Sequence, residues 1–180
     1  MTFARALAFT MIRWESGGRE DGFPHLTPGD PGGFTRYGIA ENFNPDVDVP
    51  TLTRVSAEIM YRERYWTLAH CDELRAPFAI VTLDAAIHHG PKRAQRFLQA
   101  AVGANIDGVI GRATHAALAI AIARHGAAAV IAATIDARSD YALGKARARG
   151  DWSNVVGFAS RYIDLAAYAA SLPLLEKETP

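Results

Sequence analysis

The sequence predicts a mainly α fold, and three observations support this class. Apolar residues recur at helical spacing along most of the chain, the alternation typical of strands is scarce, and glycine or proline stands between the helical segments. The 180 residues are 49% hydrophobic and carry a formal net charge of zero. This length and composition fit one compact domain with a helical extension, which can bury a core without disulfide bonds.

The N-terminal part is predicted to be one helix followed by a long loop. Phe3, Leu7 and Met11 form an apolar stripe at helical spacing, and Gly17-Gly18 follows it as a helix end. Residues 19–50 are rich in Gly, Pro, Asp, Asn and Thr and show little periodicity. A structured loop of this length is usually functional. Within it, residues 34–40 are the only candidate for a short hairpin.

Six further helices are predicted, at 53–68, 77–89, 92–101, 112–124, 127–149 and 155–172. Pro77 is a typical first-turn residue, and Gly90-Pro91 ends the helix that Pro77 begins. Arg124, His125 and Gly126 divide an apolar stretch at 116–135 into two runs. Each run is shorter than the roughly 20 residues that span a bilayer, so we expect two packed helices and no stable membrane insertion. Residues 173–180 are predicted to be a flexible tail.

Composition argues against several classes of protein. The single cysteine, Cys71, excludes an intrachain disulfide and a zinc site built from cysteines. The zero net charge argues against a general nucleic-acid binder. Adjacent residues such as His88 and His89 point about 100° apart on a helix, and no His-Glu-x-x-His motif is present, so we expect no metal and no cofactor. The N-terminal segment lacks the features of a signal peptide.

Glu15 is the first candidate for catalytic chemistry. It continues the stripe of Phe3, Leu7 and Met11 by four positions, so a carboxyl ends the face that points to the core. Partial burial disfavours the charged form of a carboxyl and suits a general acid near neutral pH. The alternative is a helix-terminal glutamate in solvent.

Asp30 begins a tight Asp-Pro-Gly-Gly turn and is the natural second carboxylate of a glycosidase, with Thr35 to orient water. The alternative is that Asp30 only caps the turn.

These motifs resemble glycoside hydrolase family 108, the phage and prophage N-acetylmuramidases with a lysozyme-like helical fold. The likeness begins with WESGG at Trp14 and DPGGFTRYGIA at Asp30, and it continues through residues 61–66, 83–90, 97–103 and 107–114. It implies that Glu15 is the general acid and that Asp30 and Thr35 act with it. It also implies a catalytic region at 1–90 and a peptidoglycan-binding-like helical region at 91–172, packed together as one compact unit.

Four further residues are candidates for substrate binding. Tyr37 and Tyr65 could stack on sugar rings or belong to the core, and Asp84 could line the groove or, if buried, hold a partner. His88 stands where the family tends to have asparagine lining the groove. Two other departures are a serine after Glu15 and about six extra residues, Asp-Gly-Phe-Pro-His-Leu at 21–26, before Asp30.

The resemblance implies a monomeric lysozyme that hydrolyses the β-1,4 bond between N-acetylmuramic acid and N-acetylglucosamine in bacterial peptidoglycan. Without a signal peptide, such an enzyme would be made in the host cytoplasm and would act on the wall, as an endolysin, after the membrane is permeabilised. Two alternatives remain open at this point. One is a lytic transglycosylase that uses Glu15, and the other is a non-catalytic peptidoglycan-binding protein.

Overall fold

The computed structural model describes residues 2–28, 30–153 and 155–174, and it confirms a mainly α, lysozyme-like fold. Residues 175–180 of the predicted tail lie outside the described ranges. The described chain forms two compact units, Phe3–Arg64 and the part that starts at Tyr65. The predicted division of roles at residue 90 stays a prediction. Seven α-helices are described: α1 (Thr2–Leu7), α2 (Arg54–Tyr61), α3 (Ala76–His89), α4 (Pro91–Val102), α5 (Arg112–His125), α6 (Ala127–Arg149) and α7 (Val155–Ser171).

The first predicted helix changes its winding halfway along. After α1, residues Ala8–Glu15 form a π-helix, in which each backbone N–H bonds to the carbonyl five residues back. The hydroxyl of Thr10 donates a 2.8 Å hydrogen bond to the carbonyl of Ala6, a side-chain bond that competes with regular helical pairing. At the end of the segment, the N–H of Ser16 donates to the carbonyl of Met11 over 2.9 Å. A second π-helix, Arg62–Thr67, follows α2.

The long loop contains a small antiparallel sheet, and the predicted hairpin at 34–40 is its centre. The strands are β1 (His25–Leu26), β2 (Phe34–Arg36) and β3 (Ile39–Ala40), in the order β1-β2-β3. Thr35 of β2 lies opposite His25 on one side and Ala40 on the other. The strand β1 lies at the end of the segment 21–26, which the sequence predicts to be an insertion, and it adds a third strand to the hairpin.

The second unit is built around α3. Every residue from Ala76 to Ala86 is buried, and α4, α6 and α7 pack around this helix. Pro77 lies in the first turn of α3, as predicted, where the missing N–H costs nothing. The apolar stretch at 116–135 is divided between α5 and α6, which Gly126 joins.

No single described helix is long and apolar enough to cross a membrane. The pair α5 and α6 reaches the required length and composition only when the two helices are taken together across a bend of 118°.

Candidate active site

The π-helix ends at Glu15, and this ending determines where the carboxyl lies. Trp14 and Glu15 are both half-buried, whereas Met11 one turn earlier is fully buried. Beyond Ser16, Gly17 and Gly18 have φ values of +57° and +80°, which turn the chain away from the helix axis. The stripe that the sequence predicts therefore ends in a carboxyl at the edge of the core.

The turn between β2 and β3 has an unusual backbone. Arg36 pairs with Ile39, so Tyr37 and Gly38 form a two-residue loop. Their φ values of +54° and +73° match a type I′ turn, which needs positive φ at both positions and favours Asn, Asp or Gly there. A tyrosine in this conformation costs on the order of 1 kcal/mol or more, so surrounding contacts must hold it.

Tyr37 is held from several sides. Its N–H donates to the carbonyl of Gly22 over 2.7 Å, and its carbonyl accepts from the hydroxyl of Tyr61 over 2.8 Å. Its own hydroxyl donates to the carbonyl of Glu20 over 3.3 Å. The ring lies so close to Gly22 that a Cβ there would be 2.6 Å from it. Only 3% of Tyr37 is exposed, which favours the core role over the stacking role that the sequence left open.

This anchored turn brings Gly38 against the side chain of Glu15. A Cβ on Gly38 would lie 2.6 Å from the Cβ of Glu15 and 2.9 Å from its Oε2. Real Cβ atoms do not approach other atoms so closely, so a larger residue here would require Glu15 or the hairpin to shift. The hairpin tip thereby restricts the conformations of Glu15. The sequence prediction includes neither the role of Gly38 nor the anchoring of Tyr37, because the positive φ values of these two residues are visible only in the structure.

Asp30 and Thr35 lie before and within β2. Asp30 is exposed, and its Oδ1 accepts a 2.7 Å hydrogen bond from the N–H of Gly32, which closes the tight turn. Thr35 is half-buried in the middle strand, and its hydroxyl makes a long 3.4 Å contact with the carbonyl of Gly33. Asp30 therefore caps the turn with one oxygen, while the hairpin that carries Thr35 contacts Glu15 through Gly38. The catalytic roles of Asp30 and Thr35 stay predictions.

Asp84 lies in the interior of the second unit. It is 0% exposed, and its carboxylate accepts from Arg138 Nη1 over 2.6 Å and from Arg161 Nε over 2.9 Å. Burial alone would raise the pKa of this carboxyl, but the two guanidinium groups together hold it well below its ordinary value. The geometry favours the alternative in which Asp84 holds partners, because no surface of its carboxylate faces solvent. Its predicted role in substrate binding finds no support in this placement.

His88 and Tyr65 are more accessible than Asp84. Nδ1 of His88 lies 2.9 Å from the carbonyl of Asp84 and 3.2 Å from a guanidinium nitrogen of Arg138, and the ring meets Phe158 edge-on. Tyr65 is half-buried in the second π-helix. Substrate contact by either residue stays a prediction. Within the described residues, no group of three or more His, Cys, Asp and Glu side chains could hold a metal ion.

Comparison with known proteins places this site in a family. The model of the family described as glycosyl hydrolase 108 matches residues 11–90. The chain is also similar to a solved structure entitled "Structure of Brucella abortus SagA", with 32% identity over 94% of each chain and a TM-score of 0.74. The chain belongs to the glycosyl hydrolase 108 family. A search of curated proteins gave no match.

Membership makes this chain a glycoside hydrolase and supports a lysozyme-like, peptidoglycan-hydrolysing function. All seven residues that the sequence proposes for the site lie within the matched segment, 11–90. Three of them, Glu15, Thr35 and Tyr37, lie in the π-helix and the hairpin that packs on it. Asp84 and His88 lie four residues apart on α3 in the second unit.

Proposed function

We propose that this glycoside hydrolase is an N-acetylmuramidase that cleaves the β-1,4 bond between N-acetylmuramic acid and N-acetylglucosamine of peptidoglycan. The observation that supports it is the half-buried Glu15, which lies at the end of a π-helix and is contacted by a hairpin whose Gly38 leaves no room for a Cβ beside the glutamate side chain. A general acid must be within reach of the leaving oxygen in one orientation, and a restricted side chain meets that need without a cost at the moment of reaction.

In the proposed reaction, Glu15 protonates the glycosidic oxygen as the bond to the anomeric carbon breaks. The sugar ring develops positive charge as an oxocarbenium-like species, and water then adds to the anomeric carbon. Thr35 orients that water with its hydroxyl. The carboxylate of Asp30 either accepts the proton that the water loses or stabilises the positive charge, in which case that proton returns to the carboxylate of Glu15. The chemistry needs only carboxyl and hydroxyl groups, so no cofactor is proposed.

A lytic transglycosylase is the second candidate, and one observation favours it. Asp30 is exposed and spends one carboxylate oxygen on the N–H of Gly32, which is the arrangement of a turn cap. A transglycosylase uses a single catalytic glutamate: the 6-hydroxyl of muramic acid adds to the anomeric carbon in place of water and forms an anhydro end.

The test is the digestion of purified Gram-negative sacculi by wild type and by Asp30→Asn, with the ends of the products identified by mass spectrometry. Asp30→Asn keeps an oxygen that can cap the turn but removes the charge. We expect reducing muramic acid ends from wild type and a loss of at least about tenfold in the rate for the variant. Anhydro ends, with the variant fully active, would establish the transglycosylase.

We propose further that the enzyme is a monomer of the endolysin type, which accumulates in the cytoplasm and reaches the wall after the membrane is permeabilised. Bacteria that express the chain should then stay intact until the membrane is permeabilised and should lyse afterwards. Cells expressing Glu15→Gln provide the control, because they should survive the same treatment without lysis. The monomeric state is tested by light scattering after size-exclusion chromatography, which should give a molar mass near the 19.4 kDa of one chain. If the chain were a non-catalytic wall-binding protein, cells that express wild type would also fail to lyse after the membrane is permeabilised.

A further inference from the structure

The exposed face of α7 is apolar and carries no charge. Val156 and Ile163 are 76% and 73% exposed, and Ala167, which is also exposed, continues the same face one turn later. Of the two charged residues of α7, Arg161 is buried and Asp164 is half-buried, so neither is among its exposed residues. Single apolar side chains are common on protein surfaces, but a continuous apolar face on a helix indicates a binding surface.

A groove of about 650 Å³ lies between α7 and α6, and its rim is positively charged. Lys145 and Arg149 of α6 and Arg93 of α4 line it, and Asp151 is the one acidic residue among its described lining residues. The carboxylate of Asp151 accepts from the N–H and the hydroxyl of Ser153. Since the chain as a whole has no net charge, the three cations form a local basic patch, which we call the basic rim.

The basic rim and the apolar face of α7 border each other. Val155 and Ala159 of α7 line the groove together with Lys145 and Arg149, and the apolar face starts at the position after Val155. Trp152 lies in the connection between the two helices, where α6 ends and α7 begins, and it is 51% exposed. An exposed tryptophan, an uncharged helix face and a basic rim therefore lie next to one another.

This combination matches the surface of a bilayer that contains anionic lipids. Helices that lie in such a surface bury an apolar face at the boundary between headgroups and acyl chains, and basic residues beside them are attracted to the anionic headgroups. Tryptophan is enriched at the same depth, because its ring is apolar and its N–H is polar. A second copy of the chain is a poorer match, since a two-fold contact would set the same apolar face and the same basic rim on both sides. Like charges across such a contact are unfavourable.

We propose that this surface binds the face of a bilayer that contains anionic phospholipids. Lys145 and Arg149 bind the headgroup phosphates, while Trp152, Val156 and Ile163 enter the boundary between headgroups and acyl chains. The contact is peripheral, because the opposite face of α7 stays packed in the second unit, where its residues are buried. The inference does not rest on the proposed function, since none of these residues takes part in the proposed hydrolysis.

The test is co-sedimentation of the full wild-type chain with sucrose-loaded vesicles. One set of vesicles contains phosphatidylcholine alone, and in the other set about a third of this lipid is replaced by phosphatidylglycerol. We expect the affinity for the anionic vesicles to be at least about tenfold higher. Raising the salt concentration from about 0.1 M to about 0.5 M should weaken this binding severalfold, because salt screens the attraction between the basic rim and the headgroups.

The depth of the contact is measured by the fluorescence of Trp152. Anionic vesicles whose acyl chains carry bromine should quench the emission of wild type, because a bromine atom quenches a tryptophan that it contacts. Trp152→Phe should remove most of this quenching, since the other two tryptophans, Trp14 and Trp66, lie outside the proposed surface. Binding without quenching of Trp152 would contradict the proposed entry of the apolar face into the bilayer.

Matched variants test the role of charge. Lys145→Ala/Arg149→Ala should weaken binding to the anionic vesicles at least about tenfold. Arg124→Ala/Arg147→Ala removes the same number of charges at exposed positions outside the groove lining. This control should leave the affinity within about threefold of wild type, because charges away from the bilayer are screened.

A second matched pair tests the apolar face. Val156→Gln/Ile163→Gln should weaken binding at least about tenfold, because the apolar area that enters the bilayer is lost. Val55→Gln/Ile120→Gln is the control: it replaces one valine and one isoleucine that are 67% and 52% exposed on α2 and α5, and it should bind like wild type. All four side chains are exposed, so the unfolding temperatures should stay close to that of wild type.

The inference is overturned if the chain does not bind anionic vesicles, if it binds both kinds of vesicle equally well, or if either control weakens binding as much as its test variant. A dimer that Val156→Gln/Ile163→Gln dissociates, without binding of wild type to vesicles, would also overturn it and would assign the apolar face to a second copy. The vesicles contain no peptidoglycan, so the result is independent of sacculus digestion. Vesicle binding without digestion supports the membrane surface and refutes the muramidase, and digestion without vesicle binding does the reverse.

Discussion

Replacing Gly38 by alanine should reduce activity far more than stability. The new Cβ would lie 2.6 Å from the Cβ of Glu15 and 2.8 Å from its Cγ, whereas carbon atoms in contact lie roughly 3.5–4.0 Å apart. Either Glu15 or the hairpin must therefore move by about 1 Å. A displacement of about 1 Å at a reacting group can lower the rate about 100-fold. The left-handed backbone at φ +73° adds a conformational cost of about 1–2 kcal/mol.

The assay compares initial rates on purified sacculi with free energies of unfolding from urea titrations. Gly103→Ala is the matched control: its φ is +68°, and nothing lies within 4 Å of the new Cβ. The control should therefore carry a similar conformational cost while it keeps nearly full activity. We expect Gly38→Ala to lose about 100-fold in kcat. The reasoning is refuted if Gly38→Ala is as active as the control, because Glu15 would then not depend on the close approach of the hairpin.

Three further predictions concern stability. Asp84→Asn should lower the free energy of unfolding at pH 7 by about 3–5 kcal/mol, because the buried charges of Arg138 and Arg161 lose the carboxylate that they share; a urea titration that gives a loss below 1 kcal/mol would contradict this. The low pKa of the folded Asp84 means that its contribution is complete above the unfolded value of about 3.9 and declines as the pH falls below it. The gap between wild type and Asp84→Asn should therefore narrow from pH 5 to pH 2, and a constant gap would argue against the ion pairs. Thr53→Ala should cost about 1 kcal/mol, since the Thr53 hydroxyl caps α2 by accepting from a backbone N–H; an unchanged midpoint in urea would show that water replaces the cap.

Local chemistry was sufficient to predict the helices of the second unit. The prediction of 77–89 agrees with α3 (Ala76–His89), and that of 127–149 agrees with α6 (Ala127–Arg149). The residues responsible are Pro77, whose fixed φ suits a first turn, and Gly90 and Gly126, whose φ values of +83° and +81° end a helix. These are properties of single residues, so they are visible without the rest of the molecule.

The site could be predicted only in part, because its geometry depends on contacts between distant residues. The four-residue spacing from Met11 correctly indicates that Glu15 ends the buried stripe, but the π-helical winding of that segment was not predicted. Tyr37 adopts positive φ only because Tyr61 and Gly22 hold it there. Asp84 pairs with residues 54 and 77 positions away. Spacing rules do not reach such partners.

The central claim, that Glu15 is the general acid of a muramidase, is tested most directly by the rate of sacculus digestion by Glu15→Gln. The substitution is nearly isosteric and removes only the proton donor. We predict that wild type releases muropeptides with reducing muramic acid ends, and that Glu15→Gln is at least about 100-fold slower with an unchanged free energy of unfolding. A Glu15→Gln protein that digests sacculi at the wild-type rate would contradict the account.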